Sequence, residues 1–101
     1  MKPFFSIITA TYNSSSFIEQ CIQSLTEQIF QDFEHIIIDG NSSDQTLEII
    51  ESLKTVNQRY GKQLKLMSEE DSGVYDAFNK GLRLASGEYI LFLGGDDVLY
   101  S

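Results

Sequence analysis

The residues best suited to chemistry stand together near the end of the chain. Tyr89-Ile90-Leu91-Phe92-Leu93 is followed by Gly94-Gly95 and then by two adjacent carboxylates, Asp96 and Asp97. Five apolar residues in a row predict a short strand covered on both faces. Glycines after it let the backbone turn sharply or approach a ligand closely. Neighbouring carboxylates repel, and a divalent cation or a set of hydrogen-bond donors relieves the cost. One reading is a hard-metal site for Mg²⁺ or Mn²⁺ serving a phosphorylated ligand. The other is a solvated acidic turn that caps the next element, and these four residues alone do not choose between them. Other polar residues raise the same question. Asp39 directly follows Ile36-Ile37-Ile38, where it can accept a hydrogen bond from a ring or a ribose hydroxyl, or cap a helix. Glu69-Glu70-Asp71-Ser72-Gly73 puts three acids and a glycine before a helical pattern. Lys80 lies four residues after Asp76, which reads as a surface ion pair. His35 has no Cys or His companions and reads as a packing residue.

These groups need elements to hold them. Phe4 to Ala10 is aromatic and β-branched and predicts the first strand. A polar turn, Thr11 to Ser16, leads into Phe17, Ile18, Cys21, Ile22, Leu25 and Ile29 at helical spacing. Ser16 and Glu19 suit a capping box at that helix's start. Phe33 to Asp39 predicts the second strand, and Ser42, Ser43 and Asp44 suit the start of a second helix. Leu47, Ile50 and Leu53 mark its inner face, and Gly61 suits its stop. Gln63 to Ser68 is a weaker third strand, and Val74 to Leu84 predicts a third helix ending before Ser86-Gly87. The order β-α-β-α-β-α-β implies parallel strands with right-handed crossovers. The expected class is α/β, a three-layer α/β/α arrangement with a mostly parallel sheet in strand order 3-2-1-4. That order puts the switch point between strands 1 and 4, where open sheets of this class bind ligands. The segments Ala10 to Asn13 and Gly94 to Asp97 would flank one crevice, with Asp39 nearby.

Composition narrows the partners. The 101 residues carry 7 basic and 15 acidic side chains, a net charge of -8. That argues against nucleic-acid binding, which needs a basic footprint, and against docking on anionic lipid through this segment. No apolar run approaches the roughly 18 residues of a membrane span. No signal-peptide pattern precedes the first strand, so a cytoplasmic setting is expected, with membrane association left to a longer protein. Cys21 is the single cysteine and has no internal disulfide partner. The P-loop, Gly-x-Gly-x-x-Gly and Gly-x-Ser-x-Gly patterns are missing, which weighs against Walker-type kinases, dinucleotide oxidoreductases and α/β-hydrolases. Asp97 to Ser101 reads as the start of another element, so residues 1–101 are expected to be the front portion of a longer domain, truncated at its carboxyl end. A sheet cut short leaves an edge strand that can pair with a second copy.

Five segments, in order, resemble family 2 glycosyltransferases of the GT-A fold. Ser6-Ile7-Ile8-Thr9-Ala10-Thr11-Tyr12-Asn13 looks like the first strand and "TYN" loop of that family. Ser24-Leu25-Thr26-Glu27-Gln28 looks like its "S-x-x-x-Q" stretch, and Asp39-Gly40-Asn41-Ser42-Ser43-Asp44-Gln45-Thr46 like "DGxSxDxT". Ser68 to Gly81 resembles "SExDxGxYDAxNKG", and Ser86 to Leu93 leads to the acidic pair. The resemblance implies inverting transfer of a sugar from a nucleotide diphosphate sugar, a UDP-sugar first, to a glycan or lipid-linked acceptor. It implies that Ala10, Thr11, Tyr12 and Asn13 contact the base, with Tyr12 stacking on it or packing beside it. Asp39 would accept a hydrogen bond from the base, and Asp71 would lie near the base or ribose. Asp96 would bind the ribose or sugar, and Asp97 would hold the Mg²⁺ or Mn²⁺ that bridges the diphosphate. The catalytic base would lie beyond residue 101. Gly94 departs from the pattern, since many members carry Asp or Asn there. A nucleotidyltransferase and a non-catalytic metal-binding α/β module are the alternatives.

Overall fold

The isoleucine-rich runs that predict strands form the centre of a sheet. The computed structural model describes residues 2–28 and 30–94. In order they form β1 (Phe5–Thr11), α1 (Ile18–Thr26), β2 (Phe33–Asp39), α2 (Thr46–Val56), α3 (Gln58–Gln63), β3 (Leu64–Ser68), α4 (Val74–Leu84) and β4 (Tyr89–Phe92). The sheet runs β3-β2-β1-β4 with every pair parallel, as the element order predicts. Strand alternation sorts the side chains onto two faces. Ile7 and Ile37 join Ile18, Ile22, Leu25, Ile50 and Tyr60 on the side of α1, α2 and α3. Ile8, Ile36 and Ile38 join Ala77 on the side of α4. Each such buried aliphatic side chain contributes roughly 1.5–3 kcal/mol. α4 lies close on β1 because Gly81 faces it: a Cβ there would stand 2.5 Å from Ile8 Cγ2.

Two polar networks are built into the frame. Near the amino ends of the strands, buried Glu34 accepts from Ser6 Oγ (2.5 Å) and the Ser86 N–H (2.7 Å) and pairs with Lys65 Nζ at 2.7 Å. It thereby joins β1, β2, β3 and the turn before β4. Burial alone would raise its pKa, but Lys65 and the serine donors outweigh burial and lower it to about 2. Deeper in, His35 bridges Thr9 Oγ1 (2.7 Å) and the Tyr60 hydroxyl (2.8 Å). One ring nitrogen donates and the other accepts, which suits the neutral form. Complete burial lowers the pKa of His35 to about 3.

Several local expectations differ from the structure. The second helix is two helices: α2 stops at Val56, and Asn57 accepts the Tyr60 N–H at 3.1 Å to open α3. This break turns Tyr60 inward to His35. Gly61 therefore lies within α3, and a Cβ there would meet the Lys54 carbonyl at 2.8 Å. No Ser16–Glu19 capping box forms. Phe17 occupies the N-cap position without a side-chain cap, and Phe17 and Ile18 donate their N–H groups to the Ser14 carbonyl. β4 was expected to be covered on both faces, yet Tyr89 to Phe92 are 38–56% exposed. Among the described residues β4 is an edge strand with β1 on one side only. Ile29, expected on the apolar face of α1, lies outside the described residues, as do Asp96 and Asp97. No helix among the described residues is long and apolar enough to cross a membrane.

The buried imidazole makes stability depend on pH. The unfolded chain takes up a proton at His35 near pH 6.5 and the folded chain only near 3, so the contribution is complete above 6.5 and is lost as pH falls. Glu34 adds a similar loss, from pH 4.5 towards 2. Urea unfolding should therefore show a stability loss of about 2–3 kcal/mol between pH 6.5 and 4.5. His35→Gln should flatten that window, and an unchanged slope in the variant would refute the assignment.

Candidate functional site

Thr11, Asp39 and Ser68 are register partners at the carboxyl ends of β1, β2 and β3. Both hydroxyls turn to the central carboxylate. Thr11 Oγ1 donates to Asp39 Oδ1 at 2.6 Å and Ser68 Oγ to Oδ2 at 3.0 Å. The loop after β2 closes the set: Ser42 donates through its N–H to Oδ2 (2.8 Å) and through its hydroxyl to Oδ1 (2.6 Å). A carboxylate has about four acceptor positions, and all four are filled. Asp39 is fully buried, and burial by itself would raise its pKa. The Ser42, Thr11 and Ser68 donors outweigh that and lower it.

The loops after β1 and β2 interlock above this floor. Asn13 and Asn41 adopt left-handed backbone conformations (φ 50° and 66°), which asparagine tolerates better than most residues. Asn13 donates its N–H to Ser42 Oγ (2.9 Å), and its side-chain oxygen accepts the N–H groups of Ser43 (2.8 Å) and Asp44 (3.3 Å). Ser14 donates to Thr46 Oγ1 at 2.8 Å, and Ser15 to Asp44 Oδ2 at 3.2 Å. Asp44 also accepts from the N–H and hydroxyl of Thr46 at the start of α2. Those donors, the Thr46 hydroxyl foremost, lower its pKa to about 2.

An open cleft of about 470 Å³ lies at this carboxyl edge. Ala10, Thr11, Tyr12, Gly40, Glu70, Asp71 and Gly73 line it. Tyr12 is 65% exposed, although buried Thr11 is its neighbour. Gly73 has φ 118°, a conformation that a Cβ would strain, and it turns the chain into α4. Asp71 lies over Gly40, and its Oδ1 accepts the Gly73 N–H at 3.1 Å. Four of the expected contact residues, Ala10, Thr11, Tyr12 and Asp71, are thus brought to one cleft. Asp39 lies behind it and Asn13 beside it, bonded to the neighbouring loop. Glu70, Gly40 and Gly73 also line it. Their signal was the acidic, glycine-bearing turn at each strand end, which composition alone could not separate from solvated loop. Asp96 and Asp97 lie outside the described residues, so their place relative to the cleft is not described. Among the described residues no group of three or more His, Cys, Asp or Glu side chains is gathered to hold a metal ion.

Comparison with known proteins finds relatives in both sequence and fold. The profile of Glycosyl transferase family 2 matches residues 6–101. A PGL/p-HBAD biosynthesis glycosyltransferase of Mycobacterium bovis (strain BCG / Pasteur 1173P2) is 42% identical over 98 residues, covering 97% of this chain and 37% of the relative. The chain therefore spans little more than a third of that relative's length. S. aureus TarS 1-349, in a crystal structure with UDP-GlcNAc, is 34% identical with a TM-score of 0.84, over 94% of this chain and 27% of that one. The mannosyltransferase PcManGT from Pyrobaculum calidifontis, in complex with GDP-Man and Mn²⁺, is 26% identical with a TM-score of 0.90, over 100% of this chain and 30% of that one.

The floor of the site is open to a direct test. Asp39→Ala strands three hydroxyls and one backbone N–H, and should lower the unfolding free energy by about 3 kcal/mol in urea titration. Ser42→Ala removes one donor and should cost about 1 kcal/mol. Equal, negligible effects in both variants would contradict the buried network.

Proposed function

The chain belongs to glycosyl transferase family 2, and from that premise we propose that it is the donor-binding part of a longer, inverting, metal-dependent glycosyltransferase. The donor is a nucleoside diphosphate sugar, a UDP-sugar first, and the acceptor a hydroxyl of a glycan or lipid-linked saccharide. The observation that carries this reading is the cleft at the carboxyl edge, with an exposed aromatic ring beside a rigid floor. Tyr12 offers its face to a nucleobase, and stacking of that kind contributes roughly 1–3 kcal/mol per base. Ala10 and Thr11 bound the base, and Asp71 lies at the base or ribose. Asp39 shapes the floor, and a base N–H that reached its carboxylate would have to displace one of four existing donors. Asn13 supports the loop that carries Tyr12. Residues 1–101 are assigned the nucleotide-sugar-binding part because they carry the cleft.

The described cleft lining holds carboxylates and no cation, so the charge of a diphosphate must be met from elsewhere. We assign that role to Mg²⁺ or Mn²⁺ held by Asp97, with Asp96 at the ribose or sugar. When bound, the ion would offset charge developing on the diphosphate leaving group. The acceptor's general base is assigned to chain beyond residue 101. The loop from Thr11 to Ser16 carries no basic residue, which disfavours a nucleotidyltransferase that must handle a triphosphate there.

Calorimetric titration of UDP and GDP, with and without Mn²⁺, tests the proposal on this chain, Asp97→Ala and Tyr12→Ala. Metal-dependent binding of UDP should vanish in Asp97→Ala and weaken about tenfold in Tyr12→Ala. Metal binding that ignores the nucleotide would replace this reading with a non-catalytic metal-binding module.

A further inference from the structure

Lys80 lies one turn after Asp76 on α4, and its side chain is only 11% exposed. A lysine held this far from solvent gives up much of its rotamer freedom, so its contacts must fix it. They reach beyond its own helix. Its ammonium lies 3.1 Å from Glu69 Oε1 and 3.5 Å from Asp76 Oδ2, and donates to the Glu70 carbonyl at 2.8 Å. The i,i+4 pair with Asp76 is the surface ion pair that spacing predicts. The contacts with Glu69 and Glu70 tie α4 to the loop that leaves β3.

Asp76 extends the grip. The same Oδ2 accepts the Ser72 N–H at 2.9 Å. One cation thus holds the loop on both sides of Asp71: directly at Glu69 and Glu70, and through Asp76 at Ser72. Glu69, Glu70, Asp71 and Asp76 fall within eight residues, and without a central positive charge their repulsion would spread the loop. Partial burial works against the charge on Lys80, but Glu69 and Asp76 more than offset it and raise its pKa. Glu70, Asp71 and Gly73 line the cleft together with Tyr12, whereas Lys80 itself is not among the lining residues.

We infer that Lys80 is a positioning residue of the nucleotide cleft: it fixes the Glu69–Gly73 loop so that Asp71 is held in the same cleft lining as Tyr12. The inference rests on the cleft being a nucleoside diphosphate site, and its test separates the two. Lys80→Met keeps the aliphatic stem and removes the charge. Lys80→Arg keeps a cation with several donors. Lys65→Met is the control, because it removes a comparable ion pair from Glu34 at the other end of the sheet. In the ligand-free chain, ¹⁵N relaxation of Ser72 and Gly73 should report order parameters near the rigid value of about 0.85 for wild type, falling below about 0.6 in Lys80→Met. Lys80→Arg should restore them. UDP titrated with Mn²⁺ should bind about tenfold more weakly to Lys80→Met, and to Lys80→Arg and Lys65→Met within about threefold of wild type. Unchanged order at Ser72 and Gly73 in Lys80→Met overturns the inference. So does equal weakening in Lys80→Met and Lys65→Met, which would mark a general stability effect. Wild type that binds no nucleoside diphosphate would instead remove the functional reading, and the relaxation data would still decide whether Lys80 orders the loop.

Discussion

The Asp39 carboxylate lies out of solvent at the tip of β2, where a bare charge would cost several kcal/mol. Four donors from β1, β3 and the following loop make that burial tolerable. The consequence reaches past one residue. If any of the three segments shifts, a donor or the carboxylate itself is left unpaired, so their relative positions are set together. Asn13, Ser14 and Ser15 then join the loop after β1 to the loop after β2.

β2 carries a second buried carboxylate near its other end, Glu34, on the opposite face of the sheet. It holds Ser6, Lys65 and the Ser86 backbone. This ties the start of β4 to the sheet before that strand leads towards the acidic pair. A chain with net charge -8 thus buries two of its carboxylates as fasteners, and meets them mainly with hydroxyl and backbone donors rather than with its few cations. Lys65 and Lys80 are used where a donor must cross between elements. Tyr12 is the contrast, since it is exposed although it directly follows the buried Thr11.

Particular residues show how far the sequence could be read. The isoleucine run of β2 and the order of elements were enough to predict a parallel sheet in the order 3-2-1-4, because crossover handedness leaves few alternatives. The TYN-like and DGxS-like stretches were legible as neighbours at one sheet edge, since both follow strands whose ends must lie together. Other details were not legible. Ser16 and Glu19 have capping-box spacing, yet the Ser14 carbonyl takes the helix's first N–H groups. Gly61 looks like a helix stop, yet Asn57 breaks the helix so that Tyr60 reaches His35. Tyr89 to Phe92 read as covered on both faces, a property that depends on a neighbour the pattern cannot supply. Asp39 and Lys80 each had a local explanation, as a cap and as a surface pair, and each has partners from segments 28 or more and 10 residues away, respectively.

The sequence by itself determined the family, the α/β class, the strand order and which strand ends meet, because periodicity, element order and motif spacing are local along the chain. Tertiary structure decided what each polar residue is engaged in. It made Asp39 a saturated floor, Asn13 a brace between loops, and Tyr12 an exposed face. Those roles depend on donors and acceptors brought together across strands, and the number and direction of such partners is a property of the packed edge that no single stretch of chain contains.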